Sequence, residues 1–151
     1  YPSELPFMEV PVYLSQLKAK FAEASHENDL VITADTVVIL EHELLGKPKN
    51  MEDAHAMLNK LSGKTHQVVT GVFICNAEKE ISFAETTEVS FYELTEEQIV
   101  YYVEKYQPYD KAGAYAIQEW IGVIGIKEIK GDFYNVMGLP VSKVIQALNK
   151  F

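Results

Sequence analysis

The 151-residue chain contains no arginine: all thirteen of its basic residues are lysine, against 22 aspartates and glutamates. Arginine is the usual bidentate clamp for phosphate, so an anionic ligand here must be held by lysines, backbone N–H groups or a divalent cation. The net charge of −9 argues against a general nucleic-acid surface or an anionic-membrane surface. A single cysteine, Cys75, excludes an internal disulfide and suits a reducing compartment, so a cytoplasmic location is expected. Cys75 closes the run Val72-Phe73-Ile74-Cys75, the setting of a packed core thiol rather than a nucleophile. No apolar run approaches the ~20 residues of a membrane-spanning helix. The opening Tyr1-Pro2-Ser3-Glu4 has neither the basic segment nor the apolar core of a signal peptide. It also lacks an initiator methionine, so the chain is expected to begin inside a longer natural one. The four histidines, His26, His42, His55 and His66, show no zinc-ligand spacing and read as surface or packing residues.

What is present is a globular composition, 48% hydrophobic and 11% aromatic, in a chain long enough for one domain or two small lobes of one. Val12 to Ala24 has helical spacing, with Leu14, Leu17 and Phe21 on one stripe. Leu30 to Leu40 reads as a buried central strand, and Glu41-His42-Glu43 as a turn. Asn50 is placed to cap a helix running to about Leu61, with Glu52 and Asp53 in its positive first turn. Lys64 to Asn76 and Ile81 to Tyr92 predict an antiparallel pair of long strands. Thr95-Glu96-Glu97-Gln98 is a capping box for a helix carrying Ile99, Tyr102, Val103 and Tyr106, which Pro108 stops. Ala116-Ile117 and Ile121 to Ile129 are short strand candidates, and Gly138-Leu139-Pro140 opens a last helix. The economical architecture is a mixed sheet flanked by helices.

Three stretches could carry chemistry. Asp35 interrupts the apolar run Val31 to Leu40, and Lys47 follows between Gly46 and Pro48. A carboxylate at a sheet edge and a lysine on a rigid turn suit metal-assisted chemistry on a phosphate ester; a core aspartate capped by backbone N–H groups is the plainer alternative. In Asp110 to Gln118, Lys111 can neutralise a phosphate and Gln118 can both donate to and accept from a nucleobase edge, though a surface turn explains the same residues. Gly131 to Pro140 leads into a helix N-terminus, where Asp132 and Asn135 serve either an anion site or structural caps. Ser62-Gly63-Lys64-Thr65 is no phosphate loop, because Leu58 stands where the first glycine belongs and the helix precedes the strand. Glu41 and Glu43 flank His42 as either a solvated turn or a metal site.

Taken in order, these blocks resemble the Maf (septum formation inhibitor) family of nucleoside triphosphate pyrophosphatases. The matching segments are Ala34-Asp35-Thr36-Val37-Val38, Gly46-Lys47-Pro48, Leu61-Ser62-Gly63 with His66 and Thr70-Gly71, Asp110 to Gln118, and Gly131 to Val136 with Gly138-Leu139-Pro140. The resemblance implies an inosine-triphosphatase-like α/β fold, two lobes around a central cleft, over residues 1–151. It implies hydrolysis of dTTP or UTP to the monophosphate and pyrophosphate with Mg²⁺ or Mn²⁺. Asp35 would accept the proton of the attacking water and help hold the cation, Lys47 and Lys111 would hold phosphates, and Thr36 and Gln118 would help choose the base. A homodimer is also expected on this ground. The family opens on a strand and a Ser-x-Ser-Pro-Arg-Arg loop that this sequence lacks, which matches the missing arginines. The chain is therefore read as a shortened form with weak activity, and a catalytically weak nucleotide-binding regulator of division is the alternative function.

Overall fold

The computed structural model describes residues 1–23 and 29–151. The expected helix end at Ala24 and the reading of His26 lie outside the described residues. In chain order the elements are α1 (Val10–Glu23), β1 (Val31–Leu40), β2 (Glu43–Leu45), α2 (Met51–Leu61), β3 (Thr65–Cys75), β4 (Glu80–Phe91) and α3 (Glu96–Tyr106). They continue with α4 (Trp120–Gly125), β5 (Ile126–Lys130), α5 (Phe133–Met137) and α6 (Val141–Asn149). Short-range signals set several boundaries. The Asn50 side chain accepts from the Asp53 N–H at the start of α2, and both bonds of the Thr95–Gln98 capping box are made at the start of α3. Gly63, at φ +70°, ends α2 in the left-handed conformation that favours glycine.

The five strands form one sheet in the order β2-β1-β3-β4-β5. Every pairing is antiparallel rather than mixed; the two-residue and four-residue turns that join β1 to β2 and β3 to β4 impose it on those two pairs. Helix α1 covers one face, where Val10 packs on Val37, Ile39 and Val69, and Ala19 on Val31, Phe73 and Cys75. Helices α2 and α3 cover the other face through Leu58, Leu61, Ile99, Tyr102 and Val103, with Val144 of α6 against Val72 and Ile74. No described helix is long and apolar enough to cross a membrane.

Two elements differ from the sequence reading. The expected strand over Ile121 to Ile129 is split: Trp120–Gly125 is helical, strand β5 begins only at Ile126, and Ala116-Ile117 is in no strand. The backbone folds tightly there, with the Gly122 N–H donating to the Glu119 carbonyl at 2.9 Å, and glycine permits it: a Cβ on Gly122 would stand 1.7 Å from the Ile117 carbonyl oxygen. In α1, Phe21 is 80% exposed, and beyond Val10 and Pro11 at its start the buried residues are the small Ser15 and Ala19. The sheet lies too close for a large stripe there. A Cβ on Gly71 would meet the Val12 nitrogen at 2.2 Å, so the bare glycine sets how near α1 approaches β3.

Candidate active site

Strand β2 pairs with β1 only at Val38, Ile39 and Leu40. Among the described residues, Val31 to Val37 therefore has a strand partner on one side alone, and Thr33 to Thr36 are half-buried instead of sealed in the core. That open edge makes a carboxylate in an apolar strand tolerable, because Asp35 keeps 21% of its side chain in contact with solvent. A cavity of about 290 Å³ opens at this edge. All five residues expected from the sequence, Asp35, Thr36, Lys47, Lys111 and Gln118, line it, together with Lys18 and Asp110.

Alternation along β1 sends side chains 35 and 36 to opposite faces of the sheet. Asp35 shares the α1 face with Val37, and its Oδ1 accepts a 2.9 Å hydrogen bond from Lys18 Nζ of α1. The same ammonium donates to the Ala34 carbonyl at 3.0 Å, which fixes its position along the strand. No hydrogen bond to Asp35 Oδ2 is present among the described residues. Lys47 is exposed on the Gly46-Lys47-Pro48 turn. The Gly113 N–H donates to the Gly46 carbonyl at 3.1 Å, so this turn is fastened to the loop that carries Lys111. Lys111 lies 3.4 Å from the Asp110 carboxylate. Gly113, at φ +71° and against Val38, admits no side chain at that junction.

The opposite side of the cavity is largely apolar, with Val38, Val68, Tyr115, Ala116, Val136 and Met137 in its wall. Thr36 faces this side, opposite Thr70 in the β1–β3 register, and the two hydroxyls are 2.8 Å apart. Gln118 is exposed at its edge. The loop holding Gln118 is pinned twice. The buried Tyr102 hydroxyl donates to Glu119 Oε1 at 2.6 Å and accepts from the Ala116 N–H at 3.1 Å. The Tyr115 hydroxyl is hydrogen-bonded to His66 Nε2, with Phe91 stacked beside the imidazole. Burial pushes the Tyr102 hydroxyl well above the ordinary phenol range, assisted by its hydrogen bond to Glu119, and burial does the same to Tyr115. Burial lowers the His66 imidazole to about 4, so His66 is a neutral packing residue, as its lack of zinc-ligand spacing suggested.

Other candidates resolve as structure. Asp132 caps α5 by accepting from the N–H groups of Tyr134 and Asn135. The Asn135 amide donates to the carbonyls of Val68 and Glu85 and to the Thr87 hydroxyl, tying α5 to β3 and β4. Glu41 and Glu43 form surface ion pairs with Lys64 and Lys60, which answers the metal reading of that turn and accounts for Lys64. Lys18 was not legible: it is one of thirteen lysines, in no motif, and only the packing of α1 on β1 brings it to Asp35.

The cavity thus combines two carboxylates, three lysines and an apolar wall with polar groups at its margin, an arrangement suited to a molecule with an anionic tail and a flat ring. A family model described as Maf-like protein matches residues 3–151. The chain belongs to the Maf-like family. Among curated relatives, the dTTP/UTP pyrophosphatase of Cytophaga hutchinsonii is 53% identical over 150 residues, covering 99% of this chain and 69% of the relative. The protein of the same name from Bacteroides thetaiotaomicron is 51% identical, covering 99% of this chain and 78% of the relative. That from Porphyromonas gingivalis is 49% identical, with 100% and 77% covered. In this Maf-like chain several of the sequence blocks that carried the resemblance meet: residues of the Asp35, Lys47, Asp110 to Gln118 and Val136 to Gly138 segments border the same cavity.

Proposed function

We propose that this Maf-like chain, acting as one domain over residues 1–151, hydrolyses dTTP and UTP to the nucleoside monophosphate and pyrophosphate. The observation that carries the reading is the convergence of Asp35, Lys18, Lys47 and Lys111 on one cavity that also has an apolar wall and is lined by Thr36 and Gln118. Relatives about half identical to it carry the name of that activity. In the reaction, water attacks the α-phosphorus in line, the bond from that phosphorus to the β-phosphate oxygen breaks, and pyrophosphate departs. Asp35 receives the proton of the attacking water. Lys18, bound to Oδ1, fixes the direction of the carboxylate and leaves Oδ2 for the water. Lys47 and Lys111 hold the phosphate tail as point charges, while Thr36 and Gln118 contact the base.

Among the described residues no three His, Cys, Asp or Glu side chains gather as a protein cage for a cation. Two carboxylates, Asp35 and Asp110, do line the cavity. One or two carboxylates completed by phosphate oxygens and water is the usual setting of Mg²⁺ beside a nucleotide, so the residues fit such an ion. Asp35 would hold Mg²⁺ or Mn²⁺ jointly with the triphosphate, and the ion when bound supplies charge neutralisation on the phosphoryl oxygens. The deciding experiment measures pyrophosphate release by the native protein from a panel of eight nucleoside triphosphates, with Mg²⁺, Mn²⁺ or EDTA. Release fastest from dTTP and UTP and abolished by EDTA is the expected result. Absence of release from both pyrimidine substrates would overturn the proposal.

A further inference from the structure

We infer that Thr70 is a positioning residue for base specificity: it turns Thr36 into a hydrogen-bond acceptor toward the cavity, which favours uracil and thymine over cytosine. The inference rests on the pyrimidine triphosphate reading above and adds the chemical rule by which the base is chosen. Thr70 lies on β3, fully buried and outside the cavity lining. Its Oγ1 is 3.1 Å from the Asn135 carbonyl oxygen and 2.8 Å from Thr36 Oγ1. A carbonyl oxygen has no proton, so the one hydroxyl proton of Thr70 must fill the first contact; otherwise two oxygens would face each other across it in a dry interior. The 2.8 Å contact between the hydroxyls then needs its proton from Thr36. With that proton committed inward, Thr36 offers only lone pairs to a ligand.

Gly138 borders the cavity beside this oxygen, an added Cβ there standing 4.0 Å from Thr36 Oγ1. Uracil and thymine carry N3–H between two carbonyls and can donate to such an acceptor. Cytosine has an unprotonated N3 at the same place, which would set lone pair against lone pair. Gln118 can contact the base as well, but an exposed terminal amide can rotate to serve either edge. Discrimination falls on the hydroxyl whose direction is fixed from behind. Leaving one such group mismatched is worth about 10- to 100-fold in specificity.

The test compares kcat/KM for UTP, CTP and 3-methyl-UTP in the native protein, in Thr70→Val and in Thr70→Ser. The native protein is expected to prefer UTP over both others by about tenfold or more. Thr70→Val frees the Thr36 proton and should collapse the UTP-to-CTP ratio mainly through KM, and Thr70→Ser should restore it. A Thr70→Val protein with the native ratio overturns the inference. So does native protein that handles 3-methyl-UTP or CTP as readily as UTP, a result that does not depend on any variant folding. If UTP is bound but not hydrolysed, the pyrophosphatase reading fails, and the UTP-to-CTP ratio of calorimetric affinities judges Thr70 on its own.

Discussion

Asp35 and Lys18 form a couple in which each residue explains the other. A carboxylate in β1 has a charged neighbour 2.9 Å away, and the lysine gains both that carboxylate and a main-chain carbonyl. Asp35→Asn keeps size and a hydrogen-bond acceptor for Lys18 but removes the proposed base. Turnover is expected to fall ~100-fold or more with thermal unfolding within a few degrees of the native protein. Near-native pyrophosphate release from that variant would remove Asp35 from the reaction. His66 supports a prediction of a different kind. Its imidazole is held near 4 in the folded protein by burial, against an ordinary value of 6.5 in the unfolded chain. Between those values the unfolded state binds the extra proton, so stability is fully present above pH 6.5 and is lost as pH falls toward 4. The loss attributable to this one group approaches ~3 kcal/mol at the acid end. Denaturant titrations from pH 7.5 to 4.5 should show a shallower decline in His66→Gln than in the native protein, and parallel declines would refute the assignment.

At the scale of elements, those defined by neighbouring residues were legible and those defined by distant backbone were not. Asn50 and Thr95 announce α2 and α3 because a cap needs only a side chain and an N–H three residues on. Helix α4 was hidden, since Ile121, Val123 and Ile124 are β-branched and favour a strand, while the close approach of Gly122 to Ile117 is made by distant backbone that no local pattern announces. The candidate site was legible to the same extent. Asp35, Lys47 and Lys111 sit in recognisable segments, as does Thr70, but the contacts of Lys18 with Asp35 and of Thr70 with Thr36 span 17 and 34 residues and no local pattern shows them. Gly71 shows how far an element depends on one missing atom. It lies opposite Asp35 in the β1–β3 register, and α1 rests directly against it. Gly71→Ala is expected to push α1 outward, costing about 1–3 kcal/mol of stability. It should also lower activity, because Lys18 rides on that helix. A variant with native melting temperature and native KM would show that α1 is free to shift.

For the whole molecule, the distribution of charge matters more than its sum. A body of net charge −9 repels a triphosphate at long range, yet Lys18, Lys47 and Lys111 converge on the cavity. Attraction must therefore be local, and it acts through exposed or half-exposed ammonium groups that dissolved ions reach easily. The Debye length shrinks from ~14 Å near 50 mM salt to ~4 Å near 500 mM, so both the distant repulsion and the near attraction weaken. They do not weaken equally. Contacts of a few ångströms survive partial screening, but the triphosphate spans several lysines at once and each loses part of its pull. KM for UTP is therefore expected to rise several-fold across that range while kcat, which the proposed mechanism assigns to Asp35 and the bound geometry, changes little. Lys47→Ala removes one of the screened contacts and should start from a higher KM with a flatter dependence on salt. A KM indifferent to salt in both proteins would mean that the lysines are not what holds the phosphate tail, and the clamp would have to be sought in backbone N–H groups instead.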